Sequence, residues 1–362
     1  MSPAPPPEGL EPADLELVRG LVAIPSLSRH EGEAVRWLVA RMAERGFRAS
    51  VDQAGNAVGE IGDGARHVVL LGHIDTVPGE IPVRVEAGEL IGRGAVDAKG
   101  PLAAFVAAAS ERVRGVRVTV VGAVEEESPT STGARYRATL PAPDWCVVGE
   151  PSGWDAVTVA YKGRLALRVA LERPARHGAA PGATCTEEAL ALWQAILGAA
   201  RARTPEGRAF DRLDCRLEGI AGGESDGIVE RAELRLGYRI PPGIASAEVE
   251  AEARAIAGAH AGEARAAVER VAAEEPARTS RTSPLARAFV AGIAAAGGSA
   301  TFTVKSGTSD MNVLAPAWRC PMVAYGPGDS AYDHTPMERL SLADYARAIR
   351  VVRGVLRRAA SG

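Results

Sequence analysis

Three short apolar runs, over residues 68–71, 116–124 and 145–148, constrain this chain more than any other feature. Near-continuous hydrophobicity over so few residues marks strands buried on both faces of a sheet. Helical spacing surrounds them. Ala34, Val35, Leu38, Val39 and Met42 recur on one face of a helix expected over 33–45, and Gly46 is its natural stop. Another helix is expected over 14–22 and an alanine-rich one over 101–112, with further strands near 47–51 and 57–61. This alternation predicts an α/β fold, a mostly parallel twisted sheet with helices on both faces.

From about residue 157 the texture changes. Residues 157–161 and 165–171 read as strands, and Thr184-x-x-Glu187 is a capping box ahead of a helix over 188–202. Strands near 214–220 and 231–240, a helix over 246–260 and a strand near 266–271 follow. Strand-helix-strand, repeated once, is a ferredoxin-like split βαβ module. The α/β pattern then resumes with a helix over 284–296, strands over 301–304 and 321–325, and a helix over 342–358. We therefore expect a larger domain from 1–156 and 277–362, with 157–276 inserted as a smaller one. A chain of 362 residues suits two such cores.

A net charge of −3 gives no global reason to expect nucleic-acid binding. No apolar run approaches the length of a membrane span. The start, Met1-Ser2-Pro3-Ala4-Pro5-Pro6-Pro7, lacks the basic and apolar regions of a signal peptide and reads as a disordered lead-in. The four cysteines form no CxxC, which argues against a zinc ribbon or a disulfide framework. A cytoplasmic protein is expected.

Polar clusters close the apolar runs or the loops that leave them. The first is His73-Ile74-Asp75, whose outer residues project the same way from a strand end. A carboxylate so placed can fix the tautomer and orientation of a ligating imidazole. The others are Gly92-Arg93-Gly94-Ala95-Val96-Asp97, Glu125-Glu126-Glu127, Gly149-Glu150-Pro151 and Asp333-His334-Thr335. Sites in open α/β sheets form outside the carboxyl ends of the strands, where these clusters would meet. Two imidazoles and several carboxylates suit zinc, cobalt or manganese. Taken singly, each cluster has a plainer explanation: a histidine satisfied by its neighbour, a turn aspartate, a solvated glutamate run, a strand exit. Their joint placement is harder to explain that way.

Together these residues resemble the zinc-dependent aminoacylase/carboxypeptidase family, which includes acetylornithine deacetylase and succinyl-diaminopimelate desuccinylase. The resemblance rests on His73-x-Asp75-x-Val77-Pro78, Gly92-Arg93-Gly94-x-x-Asp97-x-Lys99-Gly100, the glutamate run, Gly149-Glu150-Pro151-Ser152 and His334, in order over nearly the whole chain. Tyr161-Lys162-Gly163-Arg164-Leu165 and Lys305-Ser306-Gly307-Thr308-Ser309-Asp310-Met311-Asn312 point to one branch, which releases lysine or ornithine from an amino-group carrier protein.

The resemblance implies two divalent metal ions, zinc with cobalt able to substitute, ~3.5 Å apart. Asp97 would bridge them, His73 and Glu150 would complete one site, and Glu127 and His334 the other. Asp75 would orient His73, and Glu126 would be the general base. Counting back from Glu150 instead shifts the base and ligand pair to Glu125 and Glu126. The inserted domain would act as a lid and dimerisation module. It would present His177 to the reaction and Arg239 to a substrate carboxylate, with Gly307 and Thr308 against the substrate backbone. The implied reaction frees lysine or ornithine from the γ-carboxyl of the C-terminal glutamate of a small acidic carrier protein, in lysine or arginine biosynthesis. The alternatives are an N-acetyl-amino-acid deacetylase, a desuccinylase, a dipeptidase or an inactive peptide-binding relative.

Overall fold

The computed structural model describes residues 8–204, 207–260 and 262–361, so the expected proline-rich lead-in lies outside the described residues. The chain divides into two units. The first takes the chain up to Val159, then Thr279–Val304 and Ser309–Gly362; the second comprises Ala160–Arg278 and Lys305–Thr308.

In chain order the elements are α1 (Pro12–Val22), α2 (Gly32–Glu44), β1 (Arg48–Val51), β2 (Ala57–Ile61), β3 (Arg66–His73), β4 (Arg84–Glu86), β5 (Glu89–Ile91), α3 (Lys99–Ala109), β6 (Val116–Ala123), α4 (Thr132–Ala138), β7 (Trp145–Gly149) and β8 (Ala156–Tyr161). The second unit adds β9 (Gly163–Pro174), α5 (Cys185–Arg203), β10 (Asp214–Ser225), β11 (Val229–Ile240), α6 (Ser246–Gly258), β12 (Arg265–Glu274) and β13 (Ala277–Arg278). Then come α7 (Pro284–Ala295), β14 (Thr301–Lys305), α8 (Asp310–Trp318), β15 (Met322–Ala324), β16 (Arg339–Ser341) and α9 (Leu342–Ala359).

The large sheet of the first unit runs β1-β2-β6-β3-β7-β15-β8. Its middle four strands, β6, β3, β7 and β15, are parallel, and antiparallel strands flank them. Both faces are covered, as the unbroken apolar runs require. Val68, Leu70, Val118, Val120 and Val147 join the core built on α3. Their alternates Val69, Leu71, Val121, Cys146 and Val148 are equally buried on the opposite face. Helix α3 is buried at every position, which explains its all-round apolar sequence. Replacing the fully buried Phe105 by alanine would cost about 3–5 kcal/mol.

The second unit has the order β-α-β-β-α-β, and its sheet runs β10-β11-β9-β12, antiparallel throughout. Leu165, Leu167, Val169, Leu234 and Leu236 pack with Leu192 and Ile196 of α5 and Val249 and Ala253 of α6. The expected capping box is present: the Thr184 side chain accepts the Glu187 N–H, and the Glu187 carboxylate accepts the Thr184 N–H. The opposite face of the sheet is charged, with Arg168 paired to Glu233 and Glu269.

Candidate metal centre

The parallel registers of the first unit bring the chemistry to one level. His73 is the last residue of β3 and pairs with Ala123, the last of β6, while Gly72 pairs with Gly149, the last of β7. Glu126 and Glu127 therefore leave β6, and Glu150 leaves β7, beside His73. Asp97 arrives from the loop before α3, and His334 from the loop before β16. His73 Nε2 lies 3.1 Å from Asp97 Oδ1, and His334 Nε2 lies 3.0 Å from Asp97 Oδ2 and 2.9 Å from Glu127 Oε1.

The donor atoms of Asp97, Glu127 and His334 all lie within 4.8 Å of one another, as do those of His73, Glu126 and Glu127. Each carboxylate oxygen of Asp97 faces a different imidazole. That is the arrangement a bridging ligand between two cations requires, so the residues fit a pair of borderline divalent ions.

The imidazoles and carboxylates of the centre shift one another's protonation. The contacts of His334 to Asp97 and Glu127 raise its pKa to about 10. Burial disfavours a charged His73, yet Asp75 and Asp97 outweigh it and raise the pKa well above the usual imidazole value. Burial works against ionisation of Asp97 too, but His334 and His73 hold its carboxyl far below the ordinary range. Ligands must shed such protons to take a metal, so binding here is linked to pH.

Glu126 differs from its neighbour. Burial, with Glu150, Asp310 and Glu127 nearby, pushes its pKa well above the carboxylate norm despite the opposing charge of His73. A carboxylate with a raised pKa inside a site is suited to carrying a proton. Glu125 turns elsewhere, accepting hydrogen bonds from the hydroxyls of Thr130 and Thr132. Glu127 meets His334, which favours the Glu126/Glu127 assignment over Glu125/Glu126.

Asp75 does more than steady a ring. His73 Nδ1 is 3.0 Å from the main-chain oxygen of Asp75 and 3.6 Å from its carboxylate, so the carbonyl makes the orienting contact. The carboxylate, fully buried, accepts the backbone N–H groups of Glu126 and Glu127 and the hydroxyl of Ser28. Glu31 accepts the N–H of Glu125, so the whole glutamate turn hangs on side-chain acceptors. Glu125 and His334 sit at φ +61° and +59°, a left-handed conformation costing roughly 1 kcal/mol or more each for such residues. Gly94, at φ +83°, could not carry a Cβ, which would fall 2.8 Å from Thr76 Cγ2.

Glu150 is buried beside Glu126, although its carboxylate belongs to neither close donor group. Asp310, the first residue of α8, is buried with both oxygens unpartnered, and burial raises its pKa to about 7. The remaining expected residues belong to the second unit. His177 is exposed in the loop after β9, its Nδ1 accepting the Ala179 N–H. Arg239 on β11 lies opposite Arg164 on β9, and its buried Nη1 has no hydrogen-bond partner. Burial, then the charge of Arg164, lowers the pKa of Arg239. Gly307 has open space where a Cβ would be, and Thr308 is half-buried.

Sequence reading missed Ser28, Glu31 and Glu338 as parts of this centre. Glu338 stands in a loop, so its spacing of four residues after His334 carries no periodic signal.

The arrangement defines a metal-dependent hydrolase of amide bonds. A family model described as peptidase family M20/M25/M40 matches residues 69–358, and the chain belongs to that family. It is 46% identical to the [LysW]-lysine hydrolase of Deinococcus radiodurans, over 96% of this chain and 97% of that one. It is 38% identical to a putative [LysW]-lysine/[LysW]-ornithine hydrolase of Thermococcus kodakarensis, covering 94% and 91%. A family M20 metallo-carboxypeptidase of Sulfolobus solfataricus superposes with a TM-score of 0.78 at 17% identity, covering 98% of this chain and all of that one. A dinuclear metal-binding M20 peptidase of Bacillus subtilis gives a TM-score of 0.73 at 15% identity, covering 95% and 96%. No helix among the described residues is long and apolar enough to cross a membrane.

Proposed function

We propose that this protein hydrolyses the amide that joins lysine or ornithine to the γ-carboxyl of the C-terminal glutamate of an amino-group carrier protein. The observation that carries the chemistry is Asp97, whose two oxygens face His73 and His334 at 3.1 and 3.0 Å. The substrate follows from the names of the Deinococcus and Thermococcus relatives, which align over nearly the full chain.

His73, Asp97 and Glu150 would hold one ion, and Asp97, Glu127 and His334 the other. Zinc suits this set, and cobalt would substitute; bound there, the pair would supply Lewis acidity toward the amide carbonyl and a lowered pKa for water. Glu126 takes the proton of the attacking water and returns it to the leaving amine. Arg239 offers an unpartnered guanidinium N–H, which matches a substrate carboxylate. His177 would donate to the developing oxyanion, with Gly307 and Thr308 against the substrate backbone.

The second unit serves as lid and dimerisation module in this reading. The outer edge of β10 is unpaired among the described residues, and Ile220 on it is exposed, which supports pairing with a second copy. The setting is the cytoplasm, where the carrier would be charged and discharged.

The test compares release of lysine from the charged carrier with deacylation of free N-acetyl-lysine and N-acetyl-ornithine. Carrier turnover should dominate, chelator should abolish it, and zinc or cobalt should restore it. Turnover of the free acetyl compounds alone would replace the carrier reading with that of a deacetylase. Full activity in chelator would remove the metal mechanism.

A further inference from the structure

Glu338 is wholly buried, yet it lies on the loop that follows His334. A carboxylate taken out of water needs charged or hydrogen-bonding partners, and those of Glu338 are specific. Oε1 accepts the main-chain N–H of Val96 at 2.9 Å and of Asp97 at 3.1 Å. Oε2 receives Arg93 Nη1 at 2.7 Å, within a pair almost entirely shielded from solvent. The same Nη1 donates to the carbonyl of Thr335, the residue after His334. The Arg93 Nε donates in turn to the carbonyl of Gly79.

These contacts join two segments about 240 residues apart, one carrying Asp97 and the other His334. Asp97 has no helix or strand of its own to set its position, because it sits in the loop before α3. His334 likewise stands in a loop, in a left-handed backbone conformation that needs outside support. We propose that the Arg93–Glu338 pair is a positioning clamp that sets the distance between the shared carboxylate of Asp97 and the imidazole of His334, and so tunes capture of the metal pair. The inference rests on the two-metal reading above. Neither clamp residue has to touch substrate or metal; both act through the backbone of the residues that do.

The test strips the protein of metal and titrates cobalt(II), following heat and the visible spectrum of the bound ion. Outer-shell partners of metal ligands typically govern affinity by about 10–100-fold. Glu338→Ala should lose affinity on that scale and show an altered cobalt spectrum. Glu338→Gln keeps an acceptor for the two N–H groups but loses the ion pair, so it should fall between wild type and alanine. The thermal midpoint of each metal-free variant reports folding separately. Wild-type affinity and spectrum in Glu338→Ala would overturn the clamp. Should the alanine variant not fold, the same result in Glu338→Gln would overturn it. Failure of the two-metal reading looks different, since the unmutated protein would then bind fewer than two ions.

Discussion

Asp75 Oδ1 accepts the main-chain N–H of Glu126 at 3.1 Å, so the residue beside one imidazole also holds the turn that carries Glu126 and Glu127. Oδ2 does the same for Glu127 at 3.0 Å. Asp75→Ala removes both acceptors from a fully buried place and leaves two N–H groups without partners. We expect metal affinity to fall by about 10–100-fold, with kcat falling as well. Metal analysis alongside kinetics checks this. Unchanged values would mean that the turn holds its shape without Asp75.

The two glutamates should separate cleanly. Glu126→Ala is expected to keep both ions and lose kcat by about 10²–10⁴-fold, the range of general acid–base catalysis. Glu127→Ala, which removes the partner of His334, should lose metal as well as activity. The reverse pattern, read by metal content and steady-state rates, would exchange their roles.

Arg239 offers a test of substrate binding with its own control. A charge-assisted hydrogen bond contributes about 1.5–3 kcal/mol, so Arg239→Met should lower kcat/KM by roughly 10–100-fold, chiefly through KM. Its Nη1 is buried without a partner, so the same change should leave the thermal midpoint unchanged or higher. Lysine at this position should not rescue binding, because it lacks the planar fork. A large stability loss in Arg239→Met would show that the side chain is structural.

His67 provides a pH dependence away from the centre. Its Nε2 is 2.9 Å from Thr119 Oγ1. Burial and then the charge of Arg117 push its pKa below the ordinary value of about 6.5. The unfolded chain therefore binds the proton more readily. This histidine leaves stability untouched above pH 6.5 and subtracts from it as pH falls below that toward the folded value. His67→Gln should flatten the acid side of a calorimetric profile below about pH 6.5. Identical profiles for the two proteins would refute the assignment.

Much of this architecture was legible from periodicity. Strand β2 falls on the expected 57–61, and α3, β3, β6 and β7 lie within a few residues of expectation. Long apolar or helical periods survive because burial on both faces rewards them locally. Other elements left no such trace. Helix α8 contains Pro316, which argues against a helix; it begins where Ser309 and Asn312 form a capping box. The small sheet β16-β5-β4 pairs residues 339–341 with 89–91, over a separation that no local pattern encodes.

The same division runs through the centre. Sequence alone placed His73, Glu127 and Glu150 at the ends of apolar strands, because a parallel sheet must present those ends together. Only the tertiary structure decided which atoms meet. It put Asp97 between two imidazoles, turned Glu125 toward Thr130 and Thr132, and made the Asp75 carboxylate a cap for the glutamate turn. Loops have no period to read. Their conformations are set by hydrogen bonds from distant residues such as Glu338, and those partners exist only once the chain has folded.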